Sequence, residues 1–116
     1  MDSTDNIHAF MRHVSTSAQK VRLVLGLVRG RKVNDALNIL KYTPNGAAQP
    51  VGKLISSAAA NAEENFGISR DDLYVYRIFA DEGPTRKWRH FGARGRFKPL
   101  LRRSSHISVI LREKAA

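Results

Sequence analysis

Arg86, Lys87, Arg89, Arg94, Arg96, Lys98, Arg102 and Arg103 fall within one stretch, GPTRKWRHFGARGRFKPLLRRSS (residues 83–105), which contains no Asp or Glu. Trp88, His90, Phe91 and Phe97 are set among them. The chemistry open to such a set is the neutralisation of a polyanion. A protein core cannot take up so many like charges, because each unpaired ion would lose its hydration without compensation. A basic run of this kind is either unstructured or laid against a polyanion, and aromatic residues between the charges favour nucleic acid. Lys and Arg would contact phosphates and release counterions, an interaction that weakens with salt. Trp88, Phe91 and Phe97 can stack on exposed bases or brace one another, and the residue types allow both.

The other reactive side chains do not assemble a catalytic set. Ser104, Ser105 and His106 are neighbours in sequence only, not a triad. Cysteine is absent and the four histidines are scattered, so disulfides and thiolate metal sites are excluded and a zinc site is not expected. Neither an enzyme nor a resident cofactor is expected. The longest apolar run is a few residues, too short to cross a bilayer, and MDSTDNIHAF is acidic where a signal peptide would be basic and then apolar. The expectation is a protein of a reducing compartment, bacterial cytoplasm or organelle interior, with no membrane partner and no homo-oligomer.

The elements that must hold the basic stretch lie around it in a chain of 116 residues, a length that suits one domain. The formal net charge is +10, and without residues 83–105 it would fall to +2. The charge is therefore local, and the rest reads as a nearly balanced domain, about 8–82 and 104–113, holding an extension over about 83–104. Residues 1–7 are polar and expected to fray. Residues 9–14 read as a short strand with Phe10 and Arg12 on one face and Met11 and His13 on the other.

A first helix is expected from a hydroxyl cap at Ser15-Thr16-Ser17 to a left-handed end at Gly30. Val21, Val24, Leu25 and Val28 form its apolar stripe, with Leu23 and Leu27 widening it. Lys20, Arg22 and Arg29 lie outside the stripe, on a face that is either solvated or set against phosphate. A second helix over VNDALNILKY starts at Asn34 or Asp35, and Thr43-Pro44-Asn45-Gly46 ends it. A third begins near Ala48, with Pro50 in its first turn, and buries Val51, Leu54, Ile55, Ala58 and Ala62. Its small run, Ser56 to Ala60, lets another element approach closely, and Asn61 and Asn65 share a face that serves either RNA or structure.

From Leu73 to Ala80 the residues favour strand, but the apolar parity changes between Val75 and Ile78. One extra residue near Tyr76-Arg77 restores a single inward face, so a β-bulge is expected there. Ile107, Val109 and Leu111 alternate inward on a final strand. Two strands flanking the basic stretch imply a hairpin, with bends at Gly92 and Gly95 and with Pro99 where no ladder bond is needed. Arms of about eleven residues, at roughly 3.3 Å each, would reach ~35 Å. A lone two-stranded ribbon is marginal in water, so this one needs a partner along both sides. That requirement separates an RNA-enclosed protein from a free-standing nucleic-acid binder, which would share the charge signature.

SAQKVRLV at residues 17–24, LVRGRKVNDALNIL, SAAANAEEN, DEGPTRK, ARGR and RRSSHISVIL occur here in the order in which they occur in the bacterial-type L-twenty-two family of large-subunit ribosomal proteins. The resemblance covers residues 10–111. It implies an α+β fold, three helices packed on a three-stranded antiparallel sheet, with a long extended basic β-hairpin. It further implies a structural constituent of the large subunit that binds its ribosomal RNA, adjoins neighbouring ribosomal proteins and supports early assembly. The globular part would sit near the exit of the nascent-peptide tunnel. The hairpin tip, His90, Phe91, Gly92, Ala93 and Arg94, would line the tunnel wall and meet the nascent peptide. Ser17, Lys20 and Arg22 match the family's RNA-facing helix start. Arg94, Gly95 and Arg96 match the distal hairpin, while Arg102, Arg103, Ser104, Ser105 and His106 match its returning base. Arg86, Lys87, Trp88, Arg89 and Lys98 complete the expected RNA-binding set. The sequence departs from the family at Phe91-Gly92, where a Pro-Arg pair is usual, at Trp88, where a basic residue is common, and at Pro99 in the returning arm.

Overall fold

The structure, a computed structural model, describes residues 7–14, 16–83, 86–91, 97–102 and 104–113, and for His13 and the segments 86–91 and 97–102 the backbone alone. The elements in chain order are β1 (Ile7–Val14), α1 (Ala18–Val28), α2 (Val33–Lys41), α3 (Ala48–Phe66), a 3-10 turn (Arg70–Asp72), β2 (Leu73–Glu82), β3 (Arg86–Phe91), β4 (Phe97–Arg102) and β5 (Ser105–Glu113). An antiparallel sheet of order β1-β5-β2 carries the three helices on one face, and β3 and β4 pair as a separate ribbon. This is the expected α+β architecture.

Strand β5 is central because its alternation is unbroken. Ser105, Ile107, Val109 and Leu111 are all buried beneath the helices, with half-buried residues between them. Strand β2 reaches the same result through its bulge. The pairing runs Val75 to Leu111, then Arg77 to Ile110, so Tyr76 is the extra residue. Leu73, Val75, Ile78 and Ala80 are all buried as a result. A second irregularity lies in β1 between Met11 and Val14.

Helix α1 buries Val21, Val24, Leu25 and Val28, and α3 buries Val51, Leu54, Ile55, Ala58 and Ala62. The small residues Ala58 and Ala59 are both fully buried, and α3 packs against β1 and α2. Gly67 ends α3 in the left-handed region at φ 65°, and its N–H donates to the Ala62 carbonyl.

Several expectations change. Leu23 and Leu27 do not widen the core stripe; they are 69% and 44% exposed, because α1 is narrow against β2 and only one stripe is covered. Ser17 is the N-cap residue of α1, but its hydroxyl accepts no capping bond. Helix α2 starts one residue early, at Val33, with Lys32 at the cap position. The Asn34 side chain is spent elsewhere, donating to Asp71 Oδ1 at 2.6 Å. Ile7 does not fray: it pairs with Leu111 and is completely buried. Asn61 and Asn65 bond to each other on the exposed side of α3.

The outer edge of β2 is closed by polar groups from α1 and the loop after it. Gly30 N–H donates to the Val75 carbonyl at 3.0 Å, and Val75 N–H donates to the Arg31 carbonyl at 2.8 Å. Further along, Arg29 Nη2 donates to Ile78 O at 2.9 Å, and Arg22 Nη2 and Nε donate to Ala80 O at 2.9 and 3.2 Å. Edge strands present unpaired groups that invite foreign strands, and here the guanidinium groups occupy them. Gly30 takes φ 79° to make its bond, a conformation that suits glycine.

The bulge yields a register test. Deleting Tyr76 keeps Val75 and Ile78 inward, so the variant should still melt cooperatively, losing about 1 kcal/mol with the ring's cation contacts. Deleting Ser108 turns Val109 and Leu111 outward and should abolish a cooperative melt by circular dichroism.

Candidate nucleic-acid interface

The ribbon grows out of the β2–β5 ladder. That ladder ends with Glu82 opposite Ser105, and one further bond runs from Gly83 N–H to the Ser104 carbonyl at 2.9 Å. Pairing resumes with Arg86 opposite Arg102 and continues through Phe91 opposite Phe97. Between these two sets of pairs the register shifts by one, and a shift of this kind increases local twist and re-aims the strands. The described pairing covers six residues per arm.

The molecule measures 66 × 30 × 19 Å, and its radius of gyration is 17.3 Å, against about 13 Å for a compact domain of similar length. Arg86 lies opposite Arg102. Like charges at facing positions destabilise an isolated ribbon, and an external polyanion relieves them. Of the expected RNA-binding residues, Arg86, Lys87, Trp88, Arg89, Lys98 and Arg102 lie on the two arms. His90 and Phe91 of the expected tip end the outgoing strand. Gly92, Ala93, Arg94, Gly95, Arg96 and Arg103 lie outside the described residues.

The fold brings the start of α1 to the root of this ribbon. Lys20 and Arg22 are exposed, and Ser17 is half-buried. Arg22 reaches β2 at Ala80, three residues before Gly83, so its guanidinium serves the strand edge while its outer face stays open. The first turn of α1 contains no acidic side chain to offset the positive end of the helix dipole. Ser105 is fully buried, and its hydroxyl has no partner among the described residues; His106, next along, is half-buried. Ser105 therefore faces the protein in this structure.

Sequence reasoning missed the constraint at Gly83. A Cβ there would stand 2.5 Å from Ser104 Oγ and 3.3 Å from both the Ser104 carbonyl carbon and His106 Cε1. The signal available was a glycine placed directly between a strand and a proline, where close backbone approach is one of the standard uses.

Fold and charge together define a class: a small α+β domain carrying an acid-free basic ribbon, with no group of three or more potential metal ligands among the described residues. Among those residues no helix is long and apolar enough to cross a membrane. Residues 9–112 match the family described as Ribosomal protein L22p/L17e. The chain is 49% identical over 106 residues to the "Large ribosomal subunit protein uL22" of Thermoanaerobacter sp. (strain X514), covering 91% of this chain and 96% of that one. It is 46% identical over 114 residues to the protein of the same name from Streptococcus pyogenes serotype M6, covering 98% and 100%. The chain belongs to the L22p/L17e family of ribosomal proteins. It is a structural component of the large subunit and not an enzyme.

Gly83→Ala should lower stability by about 1–3 kcal/mol through overpacking at the root. Adding Ser104→Ala removes the nearest clashing atom and should restore part of the loss. A thermal melt of the four members of this cycle reads the coupling directly.

Proposed function

We propose that the ribbon inserts into large-subunit ribosomal RNA, anchors the domain during early subunit assembly, and carries its tip to the wall of the nascent-peptide tunnel. One observation supports this above the others: a ribbon without acidic residues leaves a nearly neutral domain and pairs as a two-stranded sheet of its own. Arg86, Lys87, Arg89, Arg94, Arg96, Lys98, Arg102 and Arg103 would neutralise phosphates along both arms. RNA selectivity would follow from the shape of the enclosing helices, since A-form grooves hide base edges. Trp88 would stack on an exposed base.

Ser17, Lys20 and Arg22 would meet RNA at the root, where the positive end of α1 suits a phosphate. Gly95 would allow RNA close to the distal backbone, and His106 would offer a polar contact at the base. Ser105 would hold the root from beneath. His90, Phe91, Gly92, Ala93 and Arg94 would face the tunnel and the nascent peptide, with the globular part, as one monomeric domain, near the tunnel exit. Association with ribosomal RNA and with neighbouring ribosomal proteins follows from membership of the large subunit; the bacterial cytoplasm or an organelle is its setting.

The protein should co-sediment with large subunits through a moderate-salt wash, and recovery in the free pool alone would overturn this reading. Arg94→Ala with Arg96→Ala should impair subunit assembly while leaving the melt of the isolated protein unchanged. A lowered melt would assign those side chains to the core.

A further inference from the structure

The sheet face opposite the helices is not apolar filler. Phe10 on β1 and Phe79 on β2 are 64% and 43% exposed there. Both stand opposite the same residue of the central strand, Ser108, so the three form one row across the sheet. With strands ~4.8 Å apart, the two phenylalanine backbones are about 9–10 Å from each other. A base stacked between two rings takes up about 7 Å, twice the ~3.4 Å stacking distance of nucleic acid. The row therefore frames an aromatic slot with a small hydroxyl floor, and the Phe10 ring, which lies 5.5 Å from that of His8, and the Phe79 ring would close it by leaning onto one base.

Cations border the slot. Arg12 follows Phe10 by two residues and is exposed, and Arg77 stands in the next row, opposite Ile110. The bulge puts Tyr76 beside it, and the Arg112 guanidinium lies over that ring at 3.6 Å, with Arg77 at 5.3 Å. Asp81 is the acid on this face among the described residues. Rings interleaved with guanidinium groups suit single-stranded nucleic acid, and although aromatics and Arg are also enriched at protein–protein interfaces, the continuity of this face with the acid-free ribbon favours RNA. The same two strands, β2 and β5, run from this face into the acid-free ribbon, so one RNA could follow both.

We propose that this face binds an unpaired RNA base between Phe10 and Phe79, with Arg12 and Arg77 taking the adjoining phosphates. The proposal rests on the RNA-binding reading of the ribbon but uses different residues and a different chemistry, stacking in place of charge neutralisation.

The test uses the full chain with two probes, a 12-nucleotide oligouridylate and a 12-base-pair RNA duplex, read by fluorescence anisotropy at fixed moderate salt. Phe10→Leu with Phe79→Leu should weaken oligouridylate binding by about tenfold or more, change duplex binding less than about twofold, and leave the salt slope unaltered. Phe10→Tyr with Phe79→Tyr should retain wild-type binding. In the wild-type protein, ultraviolet cross-linking to oligouridylate should label the peptides containing Phe10 or Phe79, a readout independent of how the variants fold. No loss in the leucine variant, or equal loss for both probes, overturns the proposal. So does the release of a neighbouring ribosomal protein from reconstituted subunits with oligouridylate binding intact, which would assign the face to protein docking. Wild-type protein that binds neither probe would remove the RNA reading itself, whereas Arg86→Ala with Arg89→Ala weakening both probes would uphold it whatever the sheet face does.

Discussion

The register of the central strand is the constraint on which the rest of the molecule depends. Strand β5 is paired on both sides, and every second residue from Ser105 to Leu111 is sealed beneath the helices. A slip by one residue would move that whole set to the open face and bring the alternate set inward. The same register determines where the ladder ends, at Glu82 and Ser105, and so where and how the ribbon leaves the domain. Positioning of the basic arms is thus a consequence of burying Ile107, Val109 and Leu111.

Charge is distributed to suit that division. The domain without residues 83–105 is nearly balanced and can fold around an ordinary apolar core, while the stretch 83–105 concentrates like charge and contains no acidic residue. Two arginines that look like part of the charged surface, Arg22 and Arg29, are bound to backbone carbonyls along the β2 edge. They close the edge that would otherwise recruit another strand, and they still present charge outward.

No group of three or more potential metal ligands occurs among the described residues, and the informative features are a ribbon root, a capped strand edge and an aromatic sheet face. The two surfaces differ in physics. Phosphate neutralisation along the ribbon, as proposed, would be long-ranged and salt-sensitive, whereas the proposed stacking on the sheet would be short-ranged and depend on unpaired bases. An RNA-enclosed protein benefits from both, since the first draws the strand in and the second selects where it lies.

Much of this was legible in the residues. The apolar spacing of α1 and α3, the alternation of β5 and the parity change that marks the bulge at Tyr76 are local patterns, and local patterns follow from the geometry of helix and strand themselves. The acid-free stretch and the order of family motifs likewise needed no structure. What sequence could not supply were distances between segments remote in the chain. Arg22 meets Ala80 across 58 residues, Ser104 crowds Gly83, and Phe10, Ser108 and Phe79 align in one row from three separate strands. Leu23 looked like core because helical spacing describes one helix, and whether a neighbour covers its outer flank is decided by packing alone. The sequence by itself determined which elements form and which stretch carries the charge, because those depend on neighbours along the chain. Only the tertiary structure decided what each exposed side chain faces, because that depends on neighbours in space.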